Sequence, residues 1–176
     1  MVTQNLSINI NGELLDFEKP RIMGILNVTP DSFYDGGKYN NAGKANSRIK
    51  EIINQGADII DVGAMSSRPG ANIISAEEEW ERLEPALELI RKQSDNIPVS
   101  VDTFRSEIAN KAFNNYKIDI VNDISAGEID NEMFDFIAEK KLPYIIMHMK
   151  GKPENMQKNP EYDDVMKEII DYFNKK

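Results

Sequence analysis

The chain has 176 residues, 40% hydrophobic and 29% charged, a balance that suits a soluble globular protein with a sizeable core. It contains no cysteine, which excludes disulfides, thiolate metal sites and cysteine nucleophiles. Its net charge of −9 argues against a broad nucleic-acid surface but leaves room for a local anion site. Neither a signal-peptide pattern at Met1-Val2-Thr3-Gln4-Asn5 nor an apolar run of membrane-spanning length occurs, so a cytoplasmic location off the membrane is expected.

Ile8 and Ile10, the pair Asn11-Gly12 and then Leu14-Leu15 read as a hairpin with a tight turn. The apolar run 22–28 follows as a buried strand that delivers Asn27 at its end. Next come Thr29-Pro30-Asp31-Ser32-Phe33 and a closing Gly36-Gly37. A residue before proline is held extended, and Pro-Asp favours a turn. Phe33 and Tyr34 stand in this polar loop, where burial alone would not put them, so the stretch reads as a binding loop.

Residues 49–55 precede Gly56 as a helix precedes its C-terminal cap. Strand 58–62 ends in Asp61-Val62 and opens onto a second loop, Gly63 to Gly70. Glycines there permit tight turning, Ser66 and Ser67 offer hydroxyls, and Arg68 can grip an anion or a carboxylate. A connecting loop with a solvated arginine is the plainer alternative. Ser75-Ala76-Glu77-Glu78 is a capping box opening a helix toward Arg91, with Pro85 expected to kink or split it.

Strand 99–102 ends in Asp102, a carboxylate at the end of a buried strand or else the N-cap of a helix over 105–114. Strand 118–124 carries Asn122-Asp123, of which only one side chain can point inward. An inward Asn beside an Asp on the neighbouring strand offers a donor and acceptor edge to a heterocycle with ring nitrogens and an amino group. A helix over 130–140, a strand over 144–149 and a helix over 162–173 follow. Met147 is either a soft wall for a flat ligand or part of the core. His148, the one histidine, lacks a second His or Cys and reads as structural rather than as a zinc ligand.

Alternating strands and helices imply an α/β fold with a parallel sheet and right-handed crossovers. No linker interrupts residues 1–176, which read as one domain. Length favours a five-stranded doubly wound sheet, since a (β/α)₈ barrel needs about 250 residues. The polar residues favour the barrel. Asn27, Asp61, Asp102, Asn122-Asp123 and His148 mark the ends of all five strands, as around a barrel mouth, whereas an open sheet concentrates its site at one switch point. No dinucleotide glycine fingerprint, Walker phosphate loop or serine nucleophile elbow occurs.

The stretches 24–37, 56–70, 99–102, 121–126 and 144–157 together resemble dihydropteroate synthase, of the pterin-binding barrel family, and run in the family's order. The resemblance implies a (β/α)₈ TIM barrel of which this chain supplies about the first five β-α units plus an N-terminal hairpin. It implies a transferase that condenses 6-hydroxymethyl-7,8-dihydropterin pyrophosphate with para-aminobenzoate, releasing pyrophosphate in folate biosynthesis. Asn27 matches the strand-end Asn associated with Mg and pyrophosphate. Asp102 and Asn122 match groups that read the pterin edge, and Met147 matches a pocket-lining residue. Phe33, Ser67, Arg68 and Pro69 would help to build the aminobenzoate pocket.

Ser67 stands where the family usually has Thr, and Ala64-Met65 replaces the more usual Gly-Glu. Pyrophosphate leaving from a CH₂ on an electron-rich pterin gives a cation-like centre, so the aromatic amine can attack without a strong base. The family's last three β-α units lie outside these residues, with another pterin-reading Asp, a pocket Lys and a basic Arg and His. A fragment or truncated product is therefore expected, and catalysis by these residues alone is not. A homodimer is implied for the complete protein. Two alternatives stay open: a pterin-binding methyltransferase domain, and a half-barrel without catalysis that binds pterin or assembles with another chain.

Overall fold

Asn11 and Gly12 both take positive φ, 51° and 93°, the backbone that a two-residue hairpin turn requires. They join β1 (Ser7–Ile10) to β2 (Glu13–Asp16) in an antiparallel pair with Ile10 opposite Glu13. The computed structural model describes residues 6–29, 38–65, 73–151 and 160–176, with the backbone alone for 38–42.

Five parallel strands form the main sheet: β3 (Met23–Asn27), β4 (Ile59–Gly63), β5 (Val99–Asp102), β6 (Ile120–Asp123) and β7 (Tyr144–Ile146). Their spatial order is their sequence order. Helices α1 (Lys38–Asn54), α2 (Ala76–Gln93), α3 (Ser106–Tyr116) and α4 (Glu132–Lys140) occupy the crossovers, and α5 (Val165–Phe173) follows β7. A doubly wound sheet reverses its strand order at a switch point. Here the order never reverses, so right-handed crossovers carry every helix to one face. That is barrel geometry, and the open sheet suggested by chain length does not form.

The helix-covered face holds the main core. Leu26, Val62, Val101 and Val121 pack against Ile49 and Ile52 of α1, Leu87 and Ile90 of α2, Ile108 of α3 and Met133 of α4. Burying each such side chain contributes about 1.5–3 kcal/mol. At the N-terminal end of the other face, Ile59 and Ile120 pack with Ile10 of the hairpin, flanked by Ile8, Leu15 and Met23. The hairpin therefore plugs the bottom of the sheet. Asn11 locks it there by donating to the Asp119 carboxylate, whose Oδ2 also accepts from Arg91 Nη2 (2.9 Å) and Val99 N (2.8 Å).

Several element boundaries shift from expectation. The last strand stops at Ile146 rather than Met149, because β6 turns away after Asp123 and leaves no ladder to continue. Pro85 neither splits nor ends α2: the apolar face of Leu83, Ala86, Leu87 and Ile90 is buried on both sides of it and offsets the lost backbone bond. Ser75 does cap this helix, accepting from Glu78 N at 3.2 Å. On the inner face Ile25 and Ile145 remain 58% and 39% exposed, since β3 and β7 each have one neighbour among the described residues.

Candidate functional site

Strand register lines up Asn27, Gly63, Asp102, Asn122 and Ile145 in one lateral row across all five strands. The row beneath is Ile25, Asp61, Ser100 and Ile120. Residues two apart in a strand share a face, so both rows lie on the helix-free side, above the hairpin plug. Apolar residues fill the floor and polar residues fill the layers toward the C-terminal ends.

Gly63 is the gap in the upper row. A Cβ there would lie 3.2 Å from Asp102 Oδ2 and 3.3 Å from Asn27 Oδ1, so two oxygens from flanking strands face the space that a side chain would occupy. Gly63 is the last residue of β4, and its φ is not in the left-handed region, so close approach rather than turning favours glycine there.

Asp102 is not a helix cap. Arg105 holds that position in α3, and the Ser106 amide donates to Asp130 Oδ2 at 2.7 Å. Burial pushes the Asp102 carboxyl up to about 7, and the nearby carboxylates of Asp61, Glu79 and Asp123 add to the effect. Burial also raises Asp61, while contacts from Ser100 and Asn122 partly offset it. Near neutrality Asp102 can therefore serve as either acceptor or donor.

Of the adjacent pair in β6, Asn122 faces the site and donates from Nδ2 to Asp61 Oδ2 at 3.2 Å. Asp123 faces the opposite way and is fully buried. It accepts from Ser125 N (2.7 Å), Gly127 N (2.9 Å) and the Tyr144 hydroxyl (2.6 Å), which fixes the turn leaving β6. Met147 is half-buried two positions beyond Ile145. His148 packs against the rings of Tyr172 and Tyr162, with centroids 4.9 and 5.9 Å away, as a structural histidine would. Phe33, Ser67, Arg68 and Pro69 lie outside the described residues.

The flanks of the second loop are described, and they are tied down. The Ala64 carbonyl accepts from Arg82 Nη1 at 3.1 Å, and the Ile74 carbonyl accepts from Arg105 Nη2 at 2.6 Å. Arg105 Nη1 pairs with the fully buried Glu79 carboxylate and lies 3.8 Å from Met65 Sδ. Sequence reasoning passed over Gly63 as a spacer, the Asp61–Ser100 layer and this ion pair. One signal for the last was available: Glu79 is in helical phase with Leu83, Ala86 and Ile90, a charge on an apolar face.

Sequentially ordered β-α units, a plugged floor and a polar row at the strand C-termini define a β/α-barrel protein with a candidate site at the mouth. The family model for pterin binding enzymes matches residues 23–176, and the chain belongs to that family. It is 49% identical over 165 residues to the mitochondrial folate synthesis bifunctional protein of Arabidopsis thaliana, covering 91% of this chain and 30% of that one. It is 43% identical over 152 residues to the dihydropteroate synthase of Synechocystis, covering 86% and 52%. The dihydropteroate synthase of Xanthomonas albilineans with 4-aminobenzoic acid superposes with a TM-score of 0.83 at 34% identity, covering 97% of this chain and 59% of that one. The sheet is thus an arc of a (β/α)₈ barrel preceded by a hairpin. The chain spans about half the length of the Synechocystis synthase and about a third of the plant protein.

Proposed function

We propose that these residues form the pterin-reading half of a dihydropteroate synthase, which joins dihydropterin pyrophosphate to para-aminobenzoate. The observation that carries this is the row Asn27–Gly63–Asp102–Asn122, with Asp61 behind it. Asp102 and Asn122 sit side by side and offer a carboxyl and a carboxamide, the pair of groups that matches a ring edge of N–H donors and C=O or ring-nitrogen acceptors. The flat ring would lie across the helix-free face, where Ile145 and Met147 stand beyond the polar row. Relatives named dihydropteroate synthase and a neighbour holding 4-aminobenzoic acid support the reading.

Asn27 stands at the opposite end of the row and suits the leaving group. Its Oδ1 is a hard oxygen directed toward the space beside Asp102 Oδ2, a donor suited to Mg, which typically takes one or two protein oxygens and completes its shell with phosphate and water. Bound there, Mg would neutralise charge on the departing pyrophosphate. In the reaction the C–O bond to pyrophosphate breaks, the amine nitrogen forms the new C–N bond, and a proton leaves that nitrogen. Asp102 and Asn122 orient the ring, and their preset dipoles stabilise positive charge as it develops. A cytoplasmic location belongs to the same proposal.

Calorimetric titration with 6-hydroxymethylpterin tests the core of the reading. Asn122→Ala and Asp102→Ala are each expected to weaken binding by tenfold or more; unchanged affinity in both would sink it. Gly63→Ala should cost about tenfold in the same titration, because its Cβ must displace Asp102 or Asn27, and wild-type affinity would refute the spacer role. Pyrophosphate release with para-aminobenzoate, set against methyl transfer from a methylated pterin, separates synthase from methyltransferase.

A further inference from the structure

Asp61 has no part in the chemistry above, yet it lies directly beneath it. It is 5% exposed, on the interior strand β4, between Ile25 and Ser100 in the lateral row. Oδ2 accepts from Asn122 Nδ2 at 3.2 Å, and Oδ1 is buried without a hydrogen-bond partner among the described residues. A buried acid with one oxygen unpaired is costly, and apolar residues serve well enough at Ile120 in the same row and at Ile59 one layer lower. The position calls for a carboxylate for some other reason.

A carboxamide is nearly symmetric in shape but not in chemistry: turning it over exchanges its acceptor for its donors. An ionised carboxylate can only accept, so it tolerates the Nδ2 side of an Asn and repels the Oδ1 side. We propose that Asp61 is a positioning residue that fixes the orientation of the Asn122 amide, so that Oδ1 and the second N–H meet the ligand in one set order. Specificity at the ring edge then originates one layer below the groups that touch it. The inference rests on the pterin-binding reading for its ligand, but the hydrogen bond itself can be tested without one.

Asp61→Asn is the sharp variant. It keeps size and polarity, and it can pair with Asn122 either way round, so a merely structural Asp61 predicts no change in discrimination. The selectivity test compares 6-hydroxymethylpterin with 6-hydroxymethyl-lumazine, in which a carbonyl acceptor replaces the ring amino donor. The wild-type chain should prefer the pterin at least tenfold, and Asp61→Asn should reduce that ratio at least fivefold. An unchanged ratio overturns the proposal. Removing the Asp61 charge also eases ionisation of Asp102, which would raise the ratio, so a fall reports on Asn122.

The ligand-free test follows the Asn122 side-chain amide by NMR. One Nδ2 proton should exchange slowly in the wild-type chain and lose at least tenfold protection in Asp61→Leu. Equal exchange in both overturns the proposal even where no pterin binds. A protected amide with no pterin binding would retain the positioning bond and discard the functional reading instead.

Discussion

Asp102→Asn is expected to make the protein more stable at pH 8 while destroying its ability to hold a pterin. The folded state lifts this carboxyl from 3.8 to about 7, chiefly by burial. Between those values the folded chain keeps a proton that the unfolded chain has lost, so wild-type stability falls as pH rises through the window. Each pH unit across that window corresponds to about 1.4 kcal/mol, and the whole interval to at most about 4 kcal/mol. The asparagine variant carries no such cost. Its advantage should grow between pH 5 and pH 7 and level off above, in denaturant titrations of both proteins at matched pH. A difference that ignores pH would mean that Asp102 is not held in the state its surroundings imply. On the proposed reading, a ligand-reading group is kept at the expense of stability, as strained functional sites are in general.

Arg105→Met should have the opposite consequence, a loss of about 3–5 kcal/mol, because it strands a buried carboxylate. Glu79 is 0% exposed, and burial already lifts its carboxyl above the ordinary range against the pull of Thr103 and Arg105. Without the guanidinium that carboxyl rises further. The variant's deficit should therefore be largest near neutral pH and shrink as acid protonates Glu79. The double variant Glu79→Leu/Arg105→Met should recover much of the loss, since a well-packed apolar pair often equals a buried ion pair. Urea unfolding of the two variants at pH 5 and pH 7 checks both points; a double variant no better than the single one would show that Arg105 acts mainly through the Ile74 carbonyl.

Much of this was legible in the sequence because local chemistry determined it. Asn11-Gly12 demanded positive φ and received it, and Ser75 caps the helix it precedes. Asn27, Asp102 and Asn122 do share one row near the strand C-termini, whereas Asp61 lies a layer lower and His148 beyond the last strand. Period-two alternation also required that Asn122 and Asp123 part company, though not which would face inward. Lateral relations were hidden, because register between strands is a property of pairs that no single segment records. Gly63 looked like a turn glycine until β5 placed Asp102 beside it. Asp61 gained its meaning from Asn122, 61 positions away. Pro85 misled for the converse reason, as burial along α2 outweighed a local rule.

The lock between Asn11 and Asp119 links residues 108 positions apart. During synthesis β1 and β2 leave the ribosome first, but their docking site includes β6, which is made much later. Each β-α unit, by contrast, finds its neighbour in the very next unit. The earliest segment to be made must therefore wait for its seat, and the floor of the site closes only after the wall of strands around it has been assembled.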